Sequence, residues 1–303
     1  MNLLILGSQG FIGSHLISYY LTRGYTITGC DLPEASPTGY VYHKVSVLSA
    51  DFDTLFTGAS FDVCINASGS GNVAYSITHP LSDFEANSLA VSKVLDVIRK
   101  YQPLCKYIHI SSAAVYGNPK SLPIYEKDVC APISPYGYHK WISEIICKEY
   151  HTLYNLQIAI VRPFSVYGEG QKKQLLWDIC HKLQGSDEIS LFGTGKESRD
   201  FIHVQDLARL IETIIQSGKF SCPIFNGASG NETTIKMIAD IFSKYYNGVK
   251  NISFTSQVRT GDPINWRADI SAALAINYSH SIALEDGICR YIKWFEGIGT
   301  GTD

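Results

Sequence analysis

The chain has 303 residues, a formal net charge of −3, 45% hydrophobic residues and eight cysteines. That length holds one large domain or a domain with an appended lobe, and a near-neutral charge with no basic block argues against nucleic acid or an anionic membrane as partner. No apolar run is long enough to span a bilayer, the N-terminal run is too short and lacks the basic flank of a secretory signal, and the cysteines form no CxxC pair, so a cytoplasmic enzyme with reduced cysteines and no metal is expected.

Leu3-Leu4-Ile5-Leu6 reads as a buried parallel strand, followed at once by Gly7-Ser8-Gln9-Gly10-Phe11-Ile12-Gly13. Phe11, Ile12, Leu16 and Ile17 then recur at helical spacing. The glycines therefore sit in a strand-to-helix turn, where bare backbone can approach a pyrophosphate and the helix N-terminus faces its charge. A second apolar segment, 25–30, ends at Asp31, eighteen residues after Gly13. A carboxylate there can accept hydrogen bonds from both ribose hydroxyls and repels a 2′-phosphate, which favours NAD over NADP. Further strands are expected at 41–47, 61–66, 104–110, 157–162 and 222–226. Helices are expected at 11–23, 51–57, 80–101, 135–154 and 171–184. The alternation is the signature of an α/β, doubly wound parallel sheet.

The strand at 106–110 runs into Ser111-Ser112-Ala113-Ala114-Val115-Tyr116-Gly117. A hydroxyl at the carboxyl end of a strand can hold a substrate oxygen. The pattern Tyr-x-x-x-Lys occurs four times, at Tyr40/Lys44, Tyr116/Lys120, Tyr136/Lys140 and Tyr246/Lys250. Only Tyr136/Lys140 opens a helix, with Ser134 as cap and Pro135 at its first position. Residues four apart share a helix face, so the Lys140 cation can stabilise a Tyr136 phenolate. Tyr138 points to the opposite face and is the weaker candidate.

These residues bring a resemblance into view. The chain resembles the extended short-chain dehydrogenases/reductases of the NAD-dependent epimerase/dehydratase family over almost its whole length, and its C-terminal motifs are close to the 4-epimerase pattern for UDP-galactose/UDP-glucose. The resemblance is carried by Gly7-x-x-Gly10-x-x-Gly13, by Ser76-Ile77-Thr78-His79-Pro80 with Asn87, and by Ser111-Ser112-x-x-Val115-Tyr116-Gly117. It continues through Tyr136-x-x-x-Lys140, Arg162-Pro163-Phe164-Ser165-Val166-Tyr167-Gly168, Gly193-Thr194-Gly195, Arg199-Asp200-Phe201-Ile202-His203-Val204, Asn226 and Arg259-Thr260-Gly261-Asp262. It implies a Rossmann fold with Tyr136 as acid/base, Lys140 as its tuning cation and Ser112 positioning the reacting oxygen. It implies NAD held by Gly7, Gln9, Gly10, Phe11, Ile12, Gly13, Asp31, Ala67, Ser68, Asn87, Tyr136, Lys140 and Pro163. It implies a nucleotide-diphosphate sugar held by Ser165, Arg199, Asn226, Arg259 and Asp262, with guanidinium forks suited to a diphosphate.

The chain also departs from the family pattern. Ser46 and Ser49 stand near the position of an adenine-binding Asp, Asn66-Ala67-Ser68-Gly69-Ser70-Gly71 replaces a His-x-Ala-Ala-like run, and Ser165 replaces an Asn. By the same resemblance, dehydratases carry Asp-Glu where this chain has Ala113-Ala114, and C3/C5 epimerases carry a Cys at the second position. What remains is chemistry needing only Ser, Tyr, Lys and a nicotinamide. The first expectation is epimerisation at C4 of a UDP-hexose or similar sugar through a 4-keto intermediate. Alternatives are a 4-keto-6-deoxyhexose reductase and a non-catalytic NAD-binding regulator. The cofactor domain is expected over 1–165 with a return near 200–228, and a smaller substrate lobe over 166–199 and 229–303. Surplus apolar residues on the helices at 80–101 and 135–154 suggest a homodimer, which the resemblance also implies.

Overall fold

A computed structural model describes residues 1–246, 251–257 and 263–299. Seven parallel strands form the central sheet: β1 (Asn2–Leu6), β2 (Thr26–Asp31), β3 (Val41–Lys44), β4 (Val63–Asn66), β5 (Lys106–Ile110), β6 (Ile158–Pro163) and β7 (Ser221–Gly227). Their order is β7-β6-β5-β4-β1-β2-β3. The direction of winding reverses between β1 and β4, so a crevice opens beyond the carboxyl ends of these strands. All seven strands correspond to apolar segments read from the sequence. β3 stops at Lys44 rather than 47.

Alternation of side chains divides the core into two layers. Leu3, Ile5, Ile65, Ile108 and Val161 face the helices α1 (Phe11–Leu21) and α5 (Val204–Ser217). Leu4, Leu6, Cys64, Tyr107 and Ile160 face the opposite layer, built by α2 (Phe52–Gly58), α3 (Ala90–Tyr101) and α4 (Pro135–Tyr154). The expected helix at 80–101 forms with one interruption, a single π turn over Glu85–Leu89 just before α3. Asn87 lies inside that turn, and such turns recur at functional sites.

After β6 the chain leaves the sheet and builds a second apolar cluster. Helices Gln174–Gly185, Ile235–Tyr245 and Leu284–Gly299 enclose Leu176, Ile179, Phe242, Tyr291 and Phe295 beside the paired strands Glu188–Leu191 and Asn251–Phe254. Between these segments α5 and β7 return to the central sheet, β7 pairing with β6.

Candidate active site

The turn after β1 is shaped by glycine. Gly7 has φ +76°, and a Cβ on Gly13 would lie 2.0 Å from the Gly7 carbonyl oxygen. Helix α1 therefore starts hard against the turn, with Gly10 as its N-cap and the Gly10 amide bonded to Gly7 O at 3.0 Å. A Cβ on Gly7 would lie 2.7 Å from Ala67 O, so the loop after β4 closes over this turn just as tightly. Asp31 ends β2 beside it. One carboxylate oxygen accepts from the Gln9 amide at 2.8 Å and the other from the Leu32 amide at 2.7 Å. Gln9 Nε2 donates to Tyr40 OH at 2.7 Å. Two features fit a dinucleotide: a cradle that any side chain would fill, and a fixed carboxylate one strand away. The buried Ser8 hydroxyl in this turn also has no hydrogen-bond partner.

The catalytic candidates meet at the carboxyl end of β5. Ser134 caps α4 by accepting from the Gly137 amide, and Pro135 starts the helix. That places Tyr136 and Lys140 on its buried face, while Tyr138 is exposed beside Trp141. Ser112 follows β5, and its Oγ accepts from the Ala114 amide at 3.1 Å. The Ser112 hydroxyl stands near enough to the Tyr136 side chain to lower its titration. Lys140 Nζ donates to Ile110 O at 3.0 Å, two residues before Ser112. Burial pushes the Tyr136 hydroxyl above its ordinary range, the Ser112 bond pulls it back, and the charge of Asp83 pushes it up again. Burial draws the Lys140 ammonium down to about 8, opposed by the carboxylates of Asp83 and Glu144.

Several residues around this cluster had been given no role from the sequence, Ser76 having figured only within a motif. Ser76 Oγ accepts from the Tyr136 amide at 3.1 Å, which fixes the first turn of α4. Glu144, one turn beyond Lys140, is buried and accepts from Ser111 Oγ at 2.5 Å and from Arg162 at 2.9 and 2.6 Å. Asp83 is fully buried; it accepts from Asn87 Nδ2 at 3.0 Å and pairs with His139 Nδ1 at 2.6 Å. The spacing of Asp83 and Asn87, and the adjacency of His139 to Lys140, were the available sequence signals.

On the substrate side the expected residues separate. Arg199 is half-buried; it donates to Ser198 O at 2.8 Å and its guanidinium lies 5.7 Å from the Trp266 ring. Ser165 pairs with Phe201, with its amide on Asp200 O at 2.9 Å, and Pro163 closes β6. Asn226 is fully buried, accepts from Tyr116 OH at 2.7 Å and donates to Ile124 O and Asp269 O at 3.0 Å each. Its amide fastens three segments together. Asp200 performs a similar task, accepting from Ser229, Gly230 and Ala268. Arg259 and Asp262 lie outside the described residues.

The glycine turn, the acid ending β2 and the Ser/Tyr/Lys cluster on a doubly wound sheet define a nicotinamide-dependent enzyme of the Rossmann type. The chain belongs to the NAD dependent epimerase/dehydratase family, whose model matches residues 3–226. A protein of Methanocaldococcus jannaschii, provisionally named a UDP-glucose 4-epimerase, is 29% identical, with 97% of this chain and 98% of that one covered. The UDP-glucuronate 4-epimerase of Thermodesulfobacterium geofontis is 26% identical over 96% of this chain and 95% of its own. Among solved structures, the UDP-glucuronic acid 4-epimerase of Bacillus cereus, in complex with UDP-glucuronic acid and NAD, superposes with a TM-score of 0.89 at 25% identity. That match covers 98% of this chain and all of the other.

Proposed function

We propose that this chain is an NAD-dependent epimerase that inverts C4 of a nucleotide-diphosphate hexose through a 4-keto sugar. The observation that carries the reading is the convergence of Ser112, Tyr136 and Lys140 at the end of β5, beside the dinucleotide turn. Gly7, Gly10 and Gly13 hold the pyrophosphate of the cofactor against the α1 N-terminus, and Asp31 binds its ribose. Bound NAD supplies a hydride acceptor that becomes the donor on return. Tyr136 takes the proton of the 4-hydroxyl and later gives it back, with Ser112 hydrogen-bonded to the same oxygen. Lys140 provides the cation that favours the Tyr136 phenolate. Ala113 and Ala114 offer no further acid or base, which suits a reaction with a single proton carrier. Arg199, with Arg259, Asp262 and Ser165, is assigned to the diphosphate sugar. The exposed Leu81, Leu89, Ile145 and Leu153 on the two packed helices support a homodimer, and eight free cysteines suit the cytoplasm.

The test incubates the purified enzyme with NAD and a panel of UDP-hexoses and UDP-uronates, with C4 configuration read by NMR. Tyr136→Phe is expected to lose at least a thousandfold in kcat while Tyr138→Phe stays near wild type. A Tyr136→Phe enzyme that keeps most of its activity overturns the assignment.

A further inference from the structure

A row of polar side chains crosses the apolar layer between the sheet and α4, and the reaction above uses none of them. Asn66 is 2% exposed, His109 1%, and Tyr107 and Ser143 are fully buried. Asn66 ends β4, Tyr107 and His109 lie two apart on β5 and so share a face, and Ser143 lies on the buried side of α4. Tyr107 itself packs in the apolar cluster that contains Cys64, Cys147 and Ile160. The polar atoms are joined end to end. Asn66 Oδ1 accepts from the Ser68 amide at 3.1 Å and from Ser68 Oγ at 2.6 Å. Asn66 Nδ2 donates to Tyr107 OH at 2.8 Å. Tyr107 OH lies 3.5 Å from His109 Nδ1, the longest link. His109 Nε2 lies 2.8 Å from Ser143 Oγ, which donates to Lys140 O at 2.6 Å.

The partners place every proton in the row. The Ser68 backbone amide can only donate, which turns Asn66 Oδ1 toward Ser68 and Nδ2 toward Tyr107. Tyr107 OH therefore accepts from Asn66 and keeps its own hydrogen for His109. Ser143 has one hydrogen and gives it to Lys140 O, so toward His109 it can only accept, and His109 Nε2 carries a proton. Burial, and after it the charge of Lys140, holds His109 far below its ordinary protonation range, so the ring is neutral and Nδ1 is bare. All the bonds thus run one way, from Ser68 through Asn66, Tyr107, His109 and Ser143 to the Lys140 carbonyl. Bonds aligned in this way polarise one another in a dry interior, and a cut leaves buried polar groups unpaired on both sides of it.

The two ends of the row lie at the two halves of the site. Ser68 follows Ala67, whose carbonyl oxygen would stand 2.7 Å from a Cβ on Gly7, so this loop is the one that closes over the dinucleotide turn. The other end is the backbone of Lys140, one helical turn from Tyr136. Asn66 also opens the run in which the chain departs from the family pattern. We propose that Asn66, Tyr107, His109 and Ser143 are positioning residues: they hold the catalytic turn of α4 in fixed register with the loop over the cofactor turn, so that both halves of the site bind NAD as one unit. This rests on the reading of Tyr136 and Lys140 as the acid/base pair.

The test is a double-mutant cycle of Tyr107→Phe and Ser143→Ala, on either side of His109, read in NAD affinity by calorimetry, in kcat, and in the melting temperature. Each single variant is expected to weaken NAD binding and lower kcat by about three- to tenfold. The double variant is expected to lie within about twofold of the poorer single, since a row cut once is already cut, whereas the losses of independent sites multiply. Imidazole nitrogen NMR, with His109 assigned through His109→Gln, is expected to show a neutral ring protonated at Nε2. Singles that lower the melting temperature but leave NAD affinity and kcat at wild type overturn the proposal, leaving only a structural row. Losses that multiply in the double variant, or a His109 ring protonated at Nδ1, overturn it as well. If one variant fails to fold, the other decides by the same comparison of melting temperature with NAD affinity. Should Tyr136→Phe keep its activity, the acid/base reading fails, and NAD affinity, which needs no turnover, still decides whether the row acts as a unit.

Discussion

Gly13 has the least freedom of any residue at the cofactor site. The 2.0 Å separation between its virtual Cβ and Gly7 O is far inside any contact that real side chains make. Alanine there must push α1 away from the turn, and with it the amides that face a pyrophosphate. Gly13→Ala is expected to weaken NAD binding at least tenfold, about 1.4 kcal/mol or more, and calorimetric titration with NAD measures it. Gly24, which also has positive φ but open space around it, shows that a glycine alone says little; what distinguishes Gly7 and Gly13 is the neighbouring backbone. That distinction was legible in the sequence only through the strand before the motif and the helix after it. At Asn226 a motif reports that an amide is needed, not which segments it ties together. Its partners Ile124 and Asp269 are 102 and 43 residues away.

Helix α4 buries an unusual face: Tyr136, Lys140, Ser143 and Glu144 all lie inside. Such a face costs stability unless each group is paired. Glu144 is paired with Arg162, but Lys140 has one carbonyl partner and a depressed ammonium. Its folded-state value near 8 lies below the ordinary 10.5. Between those values the unfolded chain binds a proton that the folded chain does not, so stability rises with pH across that window. Below about 8 the full cost of a buried cation is carried. Lys140→Met is therefore expected to stabilise the cofactor-free protein at pH 7 by about 1–3 kcal/mol while abolishing turnover, the gain shrinking as pH rises from 8 toward 10.5. Thermal unfolding at several pH values checks both sign and window. The existence of this helix was plain from Ser134-Pro135 and the apolar run behind it. The partners of its polar face were not, since Asp83, Ser111 and Arg162 come from other elements. The π turn at Glu85–Leu89 escaped for a related reason: local residue pattern and periodicity allow an ordinary helix there, and tertiary packing decides otherwise.

At the scale of the whole molecule, the doubly wound parallel sheet followed from seven apolar segments alternating with helices, whereas the order of its strands is set by tertiary pairing that no local pattern shows. Less was legible beyond residue 165, where the strands outside the central sheet run only two to four residues and pairings run across the chain, as between Thr233 and Arg199. Helix α5 was missed although its apolar face is buried throughout, because Arg199–His203 before it was read for function instead of for periodicity. Exposed Leu89 and Ile145 sit on the helix pair that the proposed dimer buries. Ile145→Glu is expected to convert a dimer to a monomer, with sedimentation velocity as the measurement; a monomeric wild type removes the dimer.

The return of the chain to the sheet at β7 bears on how such a protein can be rebuilt. The polypeptide leaves after β6, comes back for α5 and β7, and leaves again, so the segment proposed to bind the sugar is not a cassette on one joint. Exchanging it for another specificity needs several splice points in register, and a fragment ending at residue 165 would present Ile158–Val161 as a bare apolar edge. New substrate preferences are therefore reached more readily by point changes in the loops beyond the strands than by grafting whole segments.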